Sequence, residues 1–223
     1  AYEIRPRDWS SDVCSSDLRG QLGDARRARL VVEVDADVVV GHLARLVLPH
    51  PEVVDADLSS YFDTIPHPEL MLCIARRIVD RRILQLIKRW LESAVEETDG
   101  RGRKKRTTIN KDQGMGIPQG SPLSPLLANL YMRRFILGWK TCRATQQMDV
   151  RIVTYADDLV ILCRSGQAES ALTEMRNLMT RLKLQVNEEK TQICNIGREH
   201  FDFLGSTLGR YFSKRTGGAY IGL

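Results

Sequence analysis

Residues 150–163 read VRIVTYADDLVILC, and this stretch decides the fold. Two apolar runs rich in β-branched residues, 150–155 and 159–163, flank the acidic pair Asp157-Asp158. Such residues suit a pleated, half-buried surface, and two runs around a tight polar turn predict an antiparallel hairpin. Asp is at home in turns, so the two carboxylates taken alone read as turn residues. A second acidic strand end changes the weighing. Residues 53–58 (VVDADL) predict a buried strand ending in carboxylates, with Asp57 near its tip. Two sheet-borne acidic points could converge on a pair of hard divalent cations. Such ions take carboxylates plus phosphate oxygens and clamp the attacking and leaving oxygens of a phosphoryl transfer. Spacing alone carries the reading as far as a plausible two-metal site.

Outward from these strands, two helices follow residue 58. In the second, Ile83, Leu86, Ile87, Trp90, Leu91 and Ala94 fall on one face. Residues 95–110 predict a charged hairpin with Asp99-Gly100 at its tip. A helix after Pro118 carries Leu123, Leu126, Leu127, Leu130 and Tyr131 on one stripe. Residues 168–182 predict a helix with Leu172, Met175, Met179 and Leu182 inward, then a strand at 184–186. A final hairpin is expected through Ile193 and residues 201–204. The sum is an α+β fold, an antiparallel sheet with helices packed on one face.

The 223 residues are 43% hydrophobic and 27% charged, ordinary for a soluble globular protein, and the length suffices for one sizeable core or one and a half small ones. The greasiest region, residues 30–48, is broken by Glu33, Asp35, Asp37 and Arg45, so no membrane span is expected. Five scattered cysteines (14, 73, 142, 163, 194) form no C-x-x-C pair and read as reduced cytoplasmic thiols. The four histidines are equally isolated, against a His-based metal site. A net charge of +5 leans toward polyanionic partners. The cluster Arg101, Arg103, Lys104, Lys105 and Arg106 reads equally well as a phosphate contact or a solvated hairpin rim.

Residues 1–18 stand apart. The run from Asp8 to Leu18 resembles the translation of a widely used DNA-sequencing adapter, and Ala1-Tyr2-Glu3-Ile4 fits the same adapter upstream. The stretch shows neither period 2 nor period 3.6, so it is expected to be an artefactual tail outside the fold.

Five ordered blocks resemble the palm of group II intron reverse transcriptases. They are residues 55–67 (DADLSSYFDTIPH), 114–132 (GMGIPQGSPLSPLLANLYM), 155–158 (YADD), 182–191 (LKLQVNEEKT) and 201–205 (FDFLG). The resemblance implies a reverse-transcriptase palm with a ferredoxin-like core over residues 53–205. It implies an RNA-directed DNA polymerase that uses two Mg²⁺ ions, for which Mn²⁺ can substitute, and takes an RNA template, a DNA primer, deoxynucleoside triphosphates and intron RNA. Asp57, Asp157 and Asp158 would be the metal-binding carboxylates, with the Leu58 carbonyl a further ligand. Phe62 would stack under the incoming sugar and exclude a 2′-hydroxyl. Pro118-Gln119-Gly120 would lie against the nascent base pair, where Pro fixes the backbone and Gly permits close approach. Lys190 would neutralise or protonate the leaving pyrophosphate; without the resemblance it reads as a solvated helix-end charge. Phe203, Leu204 and Gly205 would form the primer grip. Asp63, Asp55, Asp35 and Asp37 are read as structural, with Asp63 a turn or cap residue before Pro66.

The family's fingers and thumb are expected to be largely missing. Residues 19–52 are left as a remnant of the junction of fingers and palm, and 206–223 as the start of the connection to a thumb. The chain as written is therefore expected to bind duplex weakly and polymerise poorly. Two other functions stay open at this stage: a splicing factor (maturase) in which polymerisation is secondary, and a reverse transcriptase of a defence or diversification system.

Overall fold

The computed structural model describes residues 49–98, 104–155, 158–212 and 219–222, together with Val40, Gly41, Leu43, Leu46 and Val47. The tail at 1–18, Asp35, Asp37, the Asp99-Gly100 tip and Asp157 lie outside the described residues, as do Arg101, Arg103 and the side chains of Lys104 and Lys105.

Four strands form the central sheet: β1 (Glu52–Asp57), β4 (Val150–Tyr155), β5 (Asp158–Cys163) and β6 (Gln192–Asn195), in the order β4-β5-β1-β6. Every neighbouring pair is antiparallel. Alternation along each strand gives the sheet two apolar faces. Val54, Ala56, Leu159 and Ile161 point into one core, and Val53, Val153, Val160 and Leu162 into the other.

Helices cover the first face. α1 (Tyr61–Thr64) and α2 (His67–Ala75) follow β1, and α3 (Arg81–Leu91) leads into the hairpin β2 (Val95–Thr98) and β3 (Lys104–Thr107). Short α4 (Ile109–Gln113) precedes α5 (Leu123–Thr141), and α6 (Arg143–Gln146) links it to β4. α7 (Ala168–Arg181) follows β5. Tyr131, Phe135 and Trp139 of α5 are fully buried, each contributing roughly 2–3 kcal/mol of apolar burial. Buried hydroxyls lock the layer: Tyr61 donates to the Ala128 carbonyl at 2.7 Å and Tyr131 to that of Leu182 at 2.8 Å.

The second face is covered too, which the expectation of helices on one face left unaddressed. Val40, Leu43 and Val47 pack there beside Phe201, Phe203 and Leu208. The last three belong to a separate sheet, β7 (Phe201–Phe203), β8 (Ser206–Phe212) and β9 (Ala219–Gly222).

Two elements differ from expectation. Ile193 and Phe201 do not share a hairpin: β6 pairs with β1, while β7 pairs with β8. Residues 184–186 form no strand, only an isolated bridge between Val186 and Leu58. The chain leaves α7 through Lys183 at φ 59, so little length remains for pairing. The apolar stripes were also read too broadly. Ile83 and Leu86 of α3 are 43% and 64% exposed, and Leu123 and Leu126 of α5 are 44% and 64% exposed. Periodicity marks a face but not whether a neighbour covers it.

Candidate active site

Asp57 and Asp158 are cross-strand partners at the last position of the β1–β5 register. Directly opposed residues share a face, so both carboxylates emerge on the side of the sheet that bears β7. Tyr155 closes the β4–β5 register opposite Asp158. Like charges so placed repel, and the site supplies compensation. Asn187 donates its Nδ2 to Asp57 Oδ2 at 3.2 Å, and Lys190 Nζ lies 3.2 Å from the same oxygen. The backbone pins the same junction: Asn187 N donates to the Asp57 carbonyl and Ser59 N to that of Gln185, both at 2.9 Å. Neither bond uses the Leu58 carbonyl, and Leu58 itself is buried at 3% exposure.

Asp55, read as merely structural, stands two residues from Asp57 and so on the same face. Burial is the first cause that pushes its carboxyl above the usual range; a hydrogen bond with Gln192 opposes this, and the charges of Asp158, Asp57 and Asp202 add to it. The smaller upward push from its acidic neighbours reflects carboxylates gathered on one face of the sheet. The period-2 rule applied to Asp55 and Asp57 could have found that grouping. Hard carboxylate oxygens delivered by neighbouring strands fit a divalent cation such as Mg²⁺. Among the described residues no group of three or more His, Cys, Asp or Glu is arranged to hold a metal ion.

Beyond Leu58, Ser60 adopts a left-handed conformation (φ 47, ψ 47) that turns the chain into α1. Tyr61 and Ile65 are buried, whereas Phe62 is half-buried with its ring edge-on to Tyr61 at 5.7 Å. The segment 114–117 runs beside α1 and is tied to it. Ile117 N donates to the Phe62 carbonyl (2.7 Å), Gly116 N to that of Ile65 (2.8 Å) and His67 N to that of Gly114 (2.8 Å). His67 Nε2 lies 2.7 Å from the Gly116 carbonyl, closing the seam. This brings Phe62 and Pro118-Gln119-Gly120 to one region, although they are remote in sequence. Pro118 is half-buried; Gln119 and Gly120 are exposed, with Gly120 at φ 80. The Ser124 hydroxyl donates to the Pro118 carbonyl and fixes the start of α5.

Gln119 Nε2 also donates to Asp63 Oδ1 at 3.2 Å. Asp63 thus lies inside α1 and reaches across to the loop, instead of capping a turn before Pro66.

Phe203 is buried in the second core, and Leu204 packs partly against it. Leu204 and Gly205 both take positive φ (51 and 75), as a tight two-residue hairpin between β7 and β8 requires.

A family model described as "Reverse transcriptase (RNA-dependent DNA polymerase)" matches residues 42–208. The chain is 29% identical to Protein YkfC of Escherichia coli (strain K12) over 73% of its own length and 48% of that protein. It is 35% identical to an uncharacterized 91 kDa protein in the cob intron of Schizosaccharomyces pombe, over 36% of this chain and 9% of that one. Among solved structures, apo telomerase from Candida tropicalis superposes with a TM-score of 0.56 at 15% identity, covering 82% of this chain and 36% of that one. The chain therefore spans about half the length of YkfC and a smaller share of the other two.

Proposed function

The chain belongs to the reverse transcriptase family, and from that membership we propose that the protein carrying it is an RNA-directed DNA polymerase of the group II intron type. It adds deoxynucleotides to a DNA primer 3′ end on an RNA template and releases pyrophosphate. The observation that carries this reading is the in-register Asp57–Asp158 pair, two carboxylates meeting at one sheet end beside a lysine.

In this reading Asp57, Asp157, Asp158 and the Leu58 carbonyl would hold two Mg²⁺ ions, which Mn²⁺ could replace. When bound, the ions supply charge neutralisation for an in-line phosphoryl transfer. The chain's own residues position the reactants. The Phe62 ring offers a rigid face to the deoxyribose and rejects an extra 2′-oxygen by clash. Pro118, Gln119 and Gly120 line the nascent base pair, and Gly120 lets the backbone approach closely. Lys190, on a flexible stem and 69% exposed, swings from Asp57 to give a proton to the leaving pyrophosphate. Phe203, Leu204 and Gly205 form a hairpin tip that holds the primer strand.

Intron RNA as a partner, and help with splicing and mobility, are supported by the relative whose name places it in the cob intron. A cytoplasmic location is supported by the burial of Cys73, Cys163 and Cys194 as unpaired thiols. Among the described residues no helix is long and apolar enough to cross a membrane.

The test is primer extension by the full-length protein on an RNA template with Mg²⁺. Asp57→Asn and Asp158→Asn should each lower the rate at least about 10²–10³-fold, the scale seen when a transition-state stabilising group is removed. Extension that persists in both variants would end the proposal.

A further inference from the structure

We infer that Asp63 is a positioning residue that sets the orientation of the Gln119 side-chain amide toward the incoming nucleotide, an inference that rests on the polymerase reading above. An amide side chain has two unlike ends, an NH₂ that donates and an oxygen that accepts, and a free Gln can turn either way. An ionised carboxylate accepts only. By taking the Nε2 of Gln119 at 3.2 Å, Asp63 admits one of the two orientations and turns the amide oxygen away from itself. The oxygen is then the end offered to a ligand, as an acceptor for a nucleotide donor.

The contact is imposed by the backbone. The seam from 114–117 to α1 fixes the register between the two segments through the Ile117–Phe62, Gly116–Ile65 and His67–Gly114 bonds. Gly116 (φ 92) permits the approach, since a Cβ there would stand 3.1 Å from the Asp63 carbonyl. Asp63 and Phe62 are adjacent in α1, so the same four-residue helix sets both the face beneath the sugar and the direction of the amide. Asp63 is also exposed, so the core does not need its carboxylate.

The experiment is a double-mutant cycle in the full-length protein, read by steady-state incorporation of one deoxynucleotide. Asp63→Asn can offer Gln119 either an NH₂ or an oxygen, and so loses the selection. It is expected to raise KM for the nucleotide about tenfold, as loss of one charge-assisted hydrogen bond would, with kcat within about twofold. On a Gln119→Ala background the same change should leave KM unaltered. An unchanged KM in Asp63→Asn, or an equal rise on both backgrounds, overturns the inference. So does a loss confined to kcat and thermal stability, which would mark Asp63 as structural. If the unsubstituted protein fails to extend a primer at all, the polymerase reading falls first and takes this inference with it.

Discussion

Lys190 Nζ lies 3.2 Å from Asp57 Oδ2, joining a residue beyond α7 to the end of the central strand. The lysine is 69% exposed, and such a pair adds no more than about 1 kcal/mol to stability. A structural role and a proton-donating role therefore predict different things. Lys190→Met should leave the denaturation midpoint nearly unchanged while lowering kcat roughly 10²-fold or more, the scale of general acid catalysis. Pre-steady-state extension alongside thermal melts checks this; a melt that drops while kcat holds would reverse the assignment.

Phe62 is half-buried against Tyr61. Phe62→Ala should relax discrimination against ribonucleotides by roughly 10–200-fold, the range available to a steric pocket that gains or loses a small group. The ratio of kcat/KM for matched deoxy- and ribonucleotides is the measurement. Unchanged sugar selectivity would remove Phe62 from the site.

Gly116 combines φ 92 with close approaches to the Asp63 carbonyl (3.1 Å) and Asn110 Oδ1 (3.2 Å). Gly116→Ala should cost about 1–3 kcal/mol through backbone strain, lowering Tm by roughly 2–4 °C for each kcal/mol. Calorimetry on the variant tests it, and Gly114→Ala (φ 65, open space around its Cβ) serves as the comparison in which only the φ penalty acts.

Asp149 accepts from Arg164 Nε at 2.6 Å and from Arg151 at 3.2 Å, with His50 Nε2 at 3.7 Å. The Arg164 hydrogen bond, with the nearby positive charges, holds its carboxyl below the ordinary 3.8 despite some burial. The unfolded chain then binds the proton more readily than the folded one, so the stabilisation is present above pH ~3.8 and is lost as pH falls through the lower folded value. Asp149→Asn should destabilise by less than about 1 kcal/mol near pH 7, since Arg164 is 57% exposed. The gap to the unsubstituted protein should shrink below pH 3.8. Urea titrations along a pH series measure it; a gap independent of pH would point to geometry instead of charge.

Much of the fold was legible because it rests on local pattern. β1, β4, β5 and α7 follow from alternation and from helical spacing within one window. What escaped was pairing between distant segments. Ile193 looked like a hairpin partner for residue 201 because they are near in sequence, yet β6 completes the central sheet beside β1. Exposure of Leu86 and Leu126 was invisible for the same reason: a helical stripe does not name its neighbour. At the candidate site, the blocks that resemble the family singled out Asp57, Phe62 and Lys190, and the fold sets Lys190 beside Asp57. Asn187 did not stand out and Asp63 was read as a turn or cap residue, because the partner of each is brought to it by the fold from a distant segment.

The pairing of Asp57 with Asp158 ties chemistry to assembly. The two acids belong to strands separated by most of the helical layer, and they meet only when β1 and β5 align in one register. A slip of one residue would send Asp57 to the helical face and scatter the charges. A partly assembled chain therefore has no weaker version of this site; it has none. Closure of the sheet is the step that creates the acidic pair, which exists only once the central strands have docked.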